Sequence, residues 1–439
     1  MFSFFRIHNF RSILDLKVNF SFAEKKAPPG FRESDIVFFS EPKKGERLVP
    51  ALALYGSNAS GKSNVLMAMG VFRDCAISDI GGKYRPDKLH PGHFSTIFEA
   101  GFVIGGREFV YLLEYDRDEV LKETLKVDGT LLFSIERGKC VFGQVATASY
   151  PAERLDEIFR VECSTPQKKQ TRTFLSVIGS RYPGLNALVT SVYEYLHSDV
   201  AVFSENGIHL SRGVDRLAAV LEKMDDPEPL KTAFGRITEL LENLDIHICR
   251  MELDRRRKRL ERDPHERTYL DVEPDFLKRL TSFEKEGENI ILNKDRIRSY
   301  HEDVEGKEVE FDFRTEESSG TQIVAGLLGV FLAALESGGV VAIDELDRSL
   351  HPLLLIELVR LFKDRRYNQK GAQLIFTVHN TDILDANLLR VSEVGIISKT
   401  LEKGSAISRI SDFKGVSNIE NFRKQYLTGS FSGIPFPYI

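Results

Sequence analysis

The octapeptide Gly56-Ser57-Asn58-Ala59-Ser60-Gly61-Lys62-Ser63 fits G-x-x-x-x-G-K-[ST] at every fixed position. Its chemistry is that of a phosphate cradle. Glycines let backbone N–H groups turn inward and bring the chain close to a polyphosphate, the lysine reaches the β and γ oxygens, and the serine hydroxyl ligates Mg²⁺. The nucleotide-contacting set on this reading is Gly56, Asn58, Gly61, Lys62, Ser63 and Asn64, with Ser63 on the metal. A glycine turn with no ligand satisfies the same letters, so the flanking elements decide between the two.

A second group lies late in the chain. GGVVAIDELDRSLHP, Gly338 to Pro352, is an apolar run that ends in Asp344-Glu345. Paired with a phosphate cradle, Asp344 would hold Mg²⁺ and Glu345 would orient and deprotonate an attacking water. Standing alone, the acidic pair would only end a strand and cap the next helix. LIFTVHN, Leu374 to Asn380, delivers His379 at the end of another apolar run, where open α/β sheets bind ligands. Such a histidine serves either as a structural hydrogen bonder or as a sensor of the γ-phosphate. Ser318-Ser319-Gly320-Thr321 opens a further apolar segment, and hydroxyls at the positive end of a helix make a second anion site.

The elements that must position these groups are legible in outline. VPALALYG, Val49 to Gly56, reads as a buried strand and NVLMAMGVF, from Asn64, as a helix, which is the context a phosphate loop requires. FSFFRIHNFRSILDLKVNFS reads as a β-hairpin broken at Arg11-Ser12, and the Pro- and Gly-bearing stretch 23–47 as a loop. Alternating runs between 94 and 145, punctuated by Gly-Gly and Asp-Gly, predict an antiparallel sheet. Residues 152–300 read as mostly helical, including LKTAFGRITELLENL and the basic DRRRKRLER. From 309 onward strand and helix alternate. The expected division is an N-terminal lobe over 1–150, a mainly helical insertion over 151–300, and a C-terminal lobe over 301–439.

Composition narrows the classes. Lys and Arg number 60 against 65 Asp and Glu, a net charge of −5, so no global basic field marks a nucleic-acid coat. Cys75, Cys140, Cys163 and Cys249 form no CxxC pair and no zinc spacing, which reads as reduced packing thiols in the cytoplasm. No window suggests 18 consecutive apolar residues, so no membrane span is expected.

Taken together, the motifs resemble the ABC-type ATPase heads shared by SMC, RecF and OLD-family proteins. That resemblance implies an α/β two-lobed P-loop fold with an antiparallel β subdomain, ATP and Mg²⁺ as ligands, and a nucleotide sandwiched between the Walker A of one head and the signature helix of another. On this basis Ser318, Ser319, Gly320 and Thr321 look like the signature, Asp347 like the D-loop residue, and His379 like the switch histidine. Arg11 and Ser12, in IHNFRSI, are placed beside the nucleotide by the same resemblance, the bland alternative being a surface turn. IHNFRSI, ESSGT, ELDRSLHP and YLTGSFSGIP are further similar to the AAA-15/AAA-21 ATPases of phage-defence operons, such as the PARIS, Septu-type and RloA-type subunits. A Q-loop residue cannot be assigned, because no Gln lies between Lys62 and Gln144.

What the resemblance implies about partners is a homodimer or larger homo-oligomer, a separate effector from the same operon, and a phage-encoded trigger. A RecF-like ATPase acting directly on DNA is the competing class. The cluster Arg255, Arg256, Arg257, Lys258, Arg259 and Arg262 is either a local nucleic-acid patch or a solvated helical face balanced by Asp254, Glu261, Asp263 and Glu266. The carboxylates after His379 are scattered, with no D-x-D pair, so chemistry on nucleic acid is expected of a partner. Phe431, Phe436 and Tyr438 either pack back on the head or offer a docking tail.

Overall fold

Both ends of the chain enter one sheet. The computed structural model describes residues 1–23, 47–147, 150–163, 169–203, 210–260, 282–286, 289–384, 388–413 and 422–431, and the account below is of these. They form two compact units, Met1–Gly207 with Ala333–Ile439, and Ile208–Leu332.

The strands in chain order begin with β1 (Phe2–Phe10), β2 (Ile13–Asn19), β3 (Ala51–Tyr55), β4 (Thr96–Ile104), β5 (Arg107–Tyr115) and β6 (Val120–Val127). β7 (Thr130–Glu136), β8 (Lys139–Phe142), β9 (Val200–Phe203), β10 (Arg250–Leu260), β11 (Ser282–Glu286) and β12 (Asn289–Glu302) follow. The last are β13 (Glu308–Asp312), β14 (Val340–Ile343), β15 (Gln373–Thr377), β16 (Val394–Thr400) and β17 (Gly404–Arg409).

In the first unit thirteen strands run in the order β8-β7-β6-β5-β4-β1-β2-β17-β16-β3-β15-β14-β9. The block β9, β14, β15, β3, β16 is parallel, and its members are near-continuous apolar runs because helices cover such strands. The rest is antiparallel, as the alternating text of 94–145 predicts. The hairpin break at Arg11-Ser12 is the β1–β2 turn, with Arg11 at φ 53°. Phenylalanine fills the space between sheet and helices: Phe5 packs on Phe98 and on Phe72 of the helix Lys62–Ile77.

The second unit contains the helices Leu210–Glu222 and Pro229–Asn243 and a four-stranded antiparallel sheet in which β12 pairs with β10, β11 and β13. Helix Leu210–Glu222 touches helix Ser319–Ser337 backbone to backbone: a Cβ on Gly213 would lie 2.5 Å from the carbonyl oxygen of Gly326.

Two expectations are corrected here. Over 151–300 the described residues are helices as far as Asn243, with β9 among them, and strands from Arg250 onward. DRRRKRLER, read as helix, is strand through Leu260, because β10 pairs residue for residue with β12 some forty positions away, a partner that no local window reveals. Arg262, Glu261, Asp263 and Glu266 lie outside the described residues. The boundaries also move, so that the signature segment belongs to the second unit and residues 152–203 to the first. The helix Ser319–Ser337 is by length and composition alone apolar enough to cross a membrane, but 67% of it is buried inside the protein, as in a core helix, and it does not overturn the expectation of no membrane span.

Glu123 of β6 is buried completely and accepts hydrogen bonds from Tyr111 Oη (3.0 Å), Phe174 N (2.7 Å) and Leu175 N (2.9 Å), fastening the helix Phe174–Arg181 to the sheet. Burial outweighs those donors and pushes its carboxyl up to about 7. A raised acid contributes stability that is complete at low pH and lost as pH rises through that value. The melting temperature is therefore expected to fall between about pH 4.5 and 7 by several degrees more in the natural protein than in Glu123→Gln, and to level off above that. Parallel pH profiles for the two would remove Glu123 as the cause.

Candidate functional site

Hydrogen-bond geometry brings the phosphate loop and the acidic strand end to one edge of the sheet. β3 pairs in parallel with β15, Leu54 opposite Thr377, and β15 in turn with β14, Ile343 opposite Phe376. The three strands therefore finish side by side, and Gly56, Asp344 and Val378 are the residues at which each turns out.

Gly56-Ser63 folds as a loop between β3 and the helix Lys62–Ile77, with no side-chain cap at Gly61. Gly56 and Gly61 lie at φ 147° and 110°, and Ala59 at 60°. A Cβ on Gly56 would meet the Ile397 carbonyl oxygen at 2.2 Å, and one on Gly61 would meet Ser405 Oγ at 2.3 Å, so both positions demand glycine by conformation and by space. Asn58 and Ser63 face solvent, while Ser60 Oγ is buried without a hydrogen-bond partner among the described residues.

Lys62 is 7% exposed and donates from Nζ to the carbonyl oxygens of Gly56 (2.9 Å) and Ser57 (3.2 Å). Burial lowers its pKa, and Asp344, Glu345 and Asp347, in that order, act against the shift. The lysine therefore already sits in the field of the three carboxylates expected from the sequence.

Those carboxylates are held from β15. Thr377 is fully buried; its Oγ1 donates to Asp344 Oδ1 (2.5 Å) and accepts from Glu345 N (2.7 Å), fixing both acidic residues with one hydroxyl. Glu345 adopts φ 50° and leaves 49% of its side chain exposed. Asp347 Oδ2 accepts from the backbone N–H groups of His379 (2.9 Å) and Asn380 (2.7 Å), which ties the loop after β14 to the loop after β15 and leaves the His379 side chain exposed.

Ser12 lies in the segment that the resemblance sets beside the nucleotide, whereas no role is read for Ser405 or Tyr426 in the sequence. Ser405 Oγ donates to the Ser60 carbonyl (2.7 Å) and bonds Ser12 Oγ (2.8 Å), which accepts from Asn64 Nδ2 (2.7 Å). The hairpin turn therefore touches the phosphate loop through Ser12, while Arg11 rests its guanidinium on Met67. Tyr426, in the short helix Phe422–Leu427, sets its ring on Tyr55 at 5.3 Å. Serine, threonine and tyrosine carry no periodicity that marks such roles. Phe431 is buried against Phe413 at 5.4 Å and so packs back; Phe436 and Tyr438 lie outside the described residues.

Ser318, Ser319, Gly320 and Thr321 open the helix Ser319–Ser337 in the second unit. Ser318 caps it, its Oγ accepting from Thr321 N (3.1 Å), and Ser318 and Ser319 are exposed.

The donor set suits Mg²⁺ and a polyphosphate. A hydroxyl at Ser63 and a carboxylate at Asp344 are hard oxygen ligands of the type Mg²⁺ takes with retained waters, and the glycine cradle with its buried lysine suits phosphate oxygens.

A large mixed α/β sheet with a glycine-rich loop at the C-terminal edge of its parallel block defines the class, an α/β P-loop domain. The family described as "AAA domain, putative AbiEii toxin, Type IV TA system" matches residues 52–138 and 221–385, more than half of the chain, and the chain belongs to that family. Among curated proteins none matches. Of solved structures, the SMC head domain from Thermotoga maritima is similar at 15% identity and TM-score 0.40, over 93% of this chain and 98% of that one. The SmcHead bound to the C-winged helix domain of ScpA is similar at 12% identity and TM-score 0.43, over 93% and 96%. The class rests on the sheet order and the family match rather than on these two likenesses.

Thr377→Val keeps the shape of the side chain and removes both hydrogen bonds. With ATP as the assayed nucleotide, the expected result is hydrolysis lowered by about 10- to 100-fold with binding retained, the range set by loss of a hydrogen bond to a charged group. Phosphate release measured beside a nucleotide titration checks it.

Proposed function

We propose that this protein binds ATP and Mg²⁺ and hydrolyses ATP in a site completed by a second copy, serving in the cytoplasm as the sensor or scaffold subunit of an anti-phage defence system that controls a separate effector. The observation that carries the ATPase reading is the meeting of the Gly56-Ser63 loop with Asp344-Glu345 on adjoining parallel strands, with Lys62 in the field of both carboxylates. The defence reading is supported by the family, whose description names a putative AbiEii toxin and a Type IV TA system.

In this reading Gly56, Asn58, Gly61, Lys62 and Asn64 hold the phosphates, with Arg11 at the flank of the loop. Ser63 and Asp344 hold Mg²⁺, which when bound neutralises charge on the phosphate oxygens. Glu345 takes the proton of the attacking water, and its half-exposed carboxylate on a backbone pinned by Thr377 gives it both reach and orientation. His379 contacts the γ-phosphate, and Asp347 keeps that loop in place through its two backbone hydrogen bonds. Ser318, Ser319 and Gly320 supply hydroxyls and N–H groups to the nucleotide held by the partner copy.

Glu345→Gln is expected to bind ATP normally and to lose hydrolysis by on the order of 10²-fold or more, the scale of positioned general-base catalysis. Lys62→Ala is expected to weaken binding itself, since it deletes a charge on ground-state phosphates. Ser318→Arg should bind nucleotide yet be inactive, and mixing it with Lys62→Ala should restore turnover, because one site of each heterodimer is built from two intact surfaces. Normal hydrolysis by a monomeric Ser318→Arg would refute the shared site.

The pure protein is also expected to leave plasmid DNA and tRNA intact with Mg²⁺ or Mn²⁺, and a pull-down from its native operon should recover a second gene product. Tight, salt-sensitive DNA binding with no such partner would favour the RecF-like alternative.

A further inference from the structure

Glu317, the residue just before the capping Ser318, is wired into the sheet of the second unit. Its side chain is 8% exposed, and its Oε1 is bonded by Ser299 Oγ at 2.5 Å and by His301 Nε2 at 2.6 Å. A carboxylate oxygen can only accept, so both the hydroxyl and Nε2 donate. Ser299 and His301 are alternate residues of β12 and point to one face, and the His301 ring is braced edge-on by Phe311 of β13 at 4.7 Å.

The segment between β13 and the helix is bonded throughout. Phe313 is buried and donates its N–H to Ile297 O of β12, and Asp312 accepts from the N–H groups of Arg314, Thr315 and Glu316. Gln322 Nε2 donates to Arg314 O (3.1 Å) and Glu317 O (3.0 Å), closing the first helical turn back onto that segment. The orientation of Ser318 is therefore set by a partly buried cluster whose donors come from β12 and not from the helix.

We propose that His301 and Ser299 are positioning residues for ATP hydrolysis: by clamping Glu317 they hold the Ser318–Gly320 helix end in the one orientation that serves a nucleotide, and so make turnover depend on the β10–β13 sheet. This rests on the composite-site reading above. It assigns His301 no contact with nucleotide. It also gives the inserted sheet a role in the chemistry, since a strain or partner that shifts β12 moves the carboxylate on which the helix end is seated.

His301→Leu in the full-length protein is expected to lower kcat by about tenfold or more with KM and loop-nucleotide affinity changed less than about twofold, because the phosphate loop is untouched. His301→Gln retains an N–H donor and should recover at least half of the rate. Ser299→Ala removes the other donor with little change of volume, should lower kcat in the same sense, and serves if the leucine variant does not fold. A His301→Leu rate within twofold of the natural protein, equal losses in the leucine and glutamine variants, or a loss of nucleotide affinity matching the loss of rate would each overturn the proposal. Ser318→Arg is measured alongside: if it hydrolyses ATP normally the composite site fails, whereas an inactive Ser318→Arg with a normal His301→Leu refutes the clamp alone.

Discussion

Gln373 decides where the two ends of the chain meet. Its amide is fully buried at the start of β15, accepting from Phe2 N and donating to the carbonyls of Phe2 and Val49. A buried amide left unsatisfied costs several kcal/mol, roughly 1–3 by mutational measures, so β15 has one depth at which it can sit beside β3 and the N-terminal strand. That depth aligns Leu54 with Thr377. The phosphate loop leaves the sheet one residue beyond β3, and Thr377 meets the acidic strand end at the same level. Without that register the loop would face backbone and the carboxylates would lie elsewhere.

Around this frame the site is held by hydroxyls and backbone amides more than by charges. Ser405 fixes Ser60, Ser12 fixes Asn64 and Ser405, and Thr377 fixes Asp344 and the Glu345 amide. Among the described residues, Lys62 donates to carbonyl oxygens of its own loop, Gly56 and Ser57. Electrostatic preorganisation of this kind needs little rearrangement when an anion arrives.

Legibility in the sequence followed sequence distance. The hairpin, the phosphate loop with its helix, the strand ending in Asp344-Glu345 and the antiparallel run from 94 to 145 are local patterns, and each was readable from period and turn residues alone. The positions of Ser405, Thr377 and Tyr426 were not, because each acts through a partner dozens to hundreds of residues away. The stretch Arg255–Arg259 was read as helix for the same reason: arginine and lysine suit a helix well, and only pairing with β12 makes them strand. His301 and Glu317, sixteen residues apart on different elements, gave no signal at all.

The parallel block also bears on how the protein is made. β3 is synthesised early, but both of its neighbours, β15 and β16, come from the last quarter of the chain. Throughout most of translation the strand has two open edges and an apolar sequence, ALALY, with no charge to discourage pairing. At about 5–20 residues per second the wait between β3 and β16 lasts tens of seconds, an interval in which an unpaired edge can find the same segment on a neighbouring nascent chain. The insertion between the two halves of the sheet therefore sets a delay as well as a distance, whereas β1, β2 and β4 to β8, which pair among themselves and precede the insertion, can fold without waiting for it.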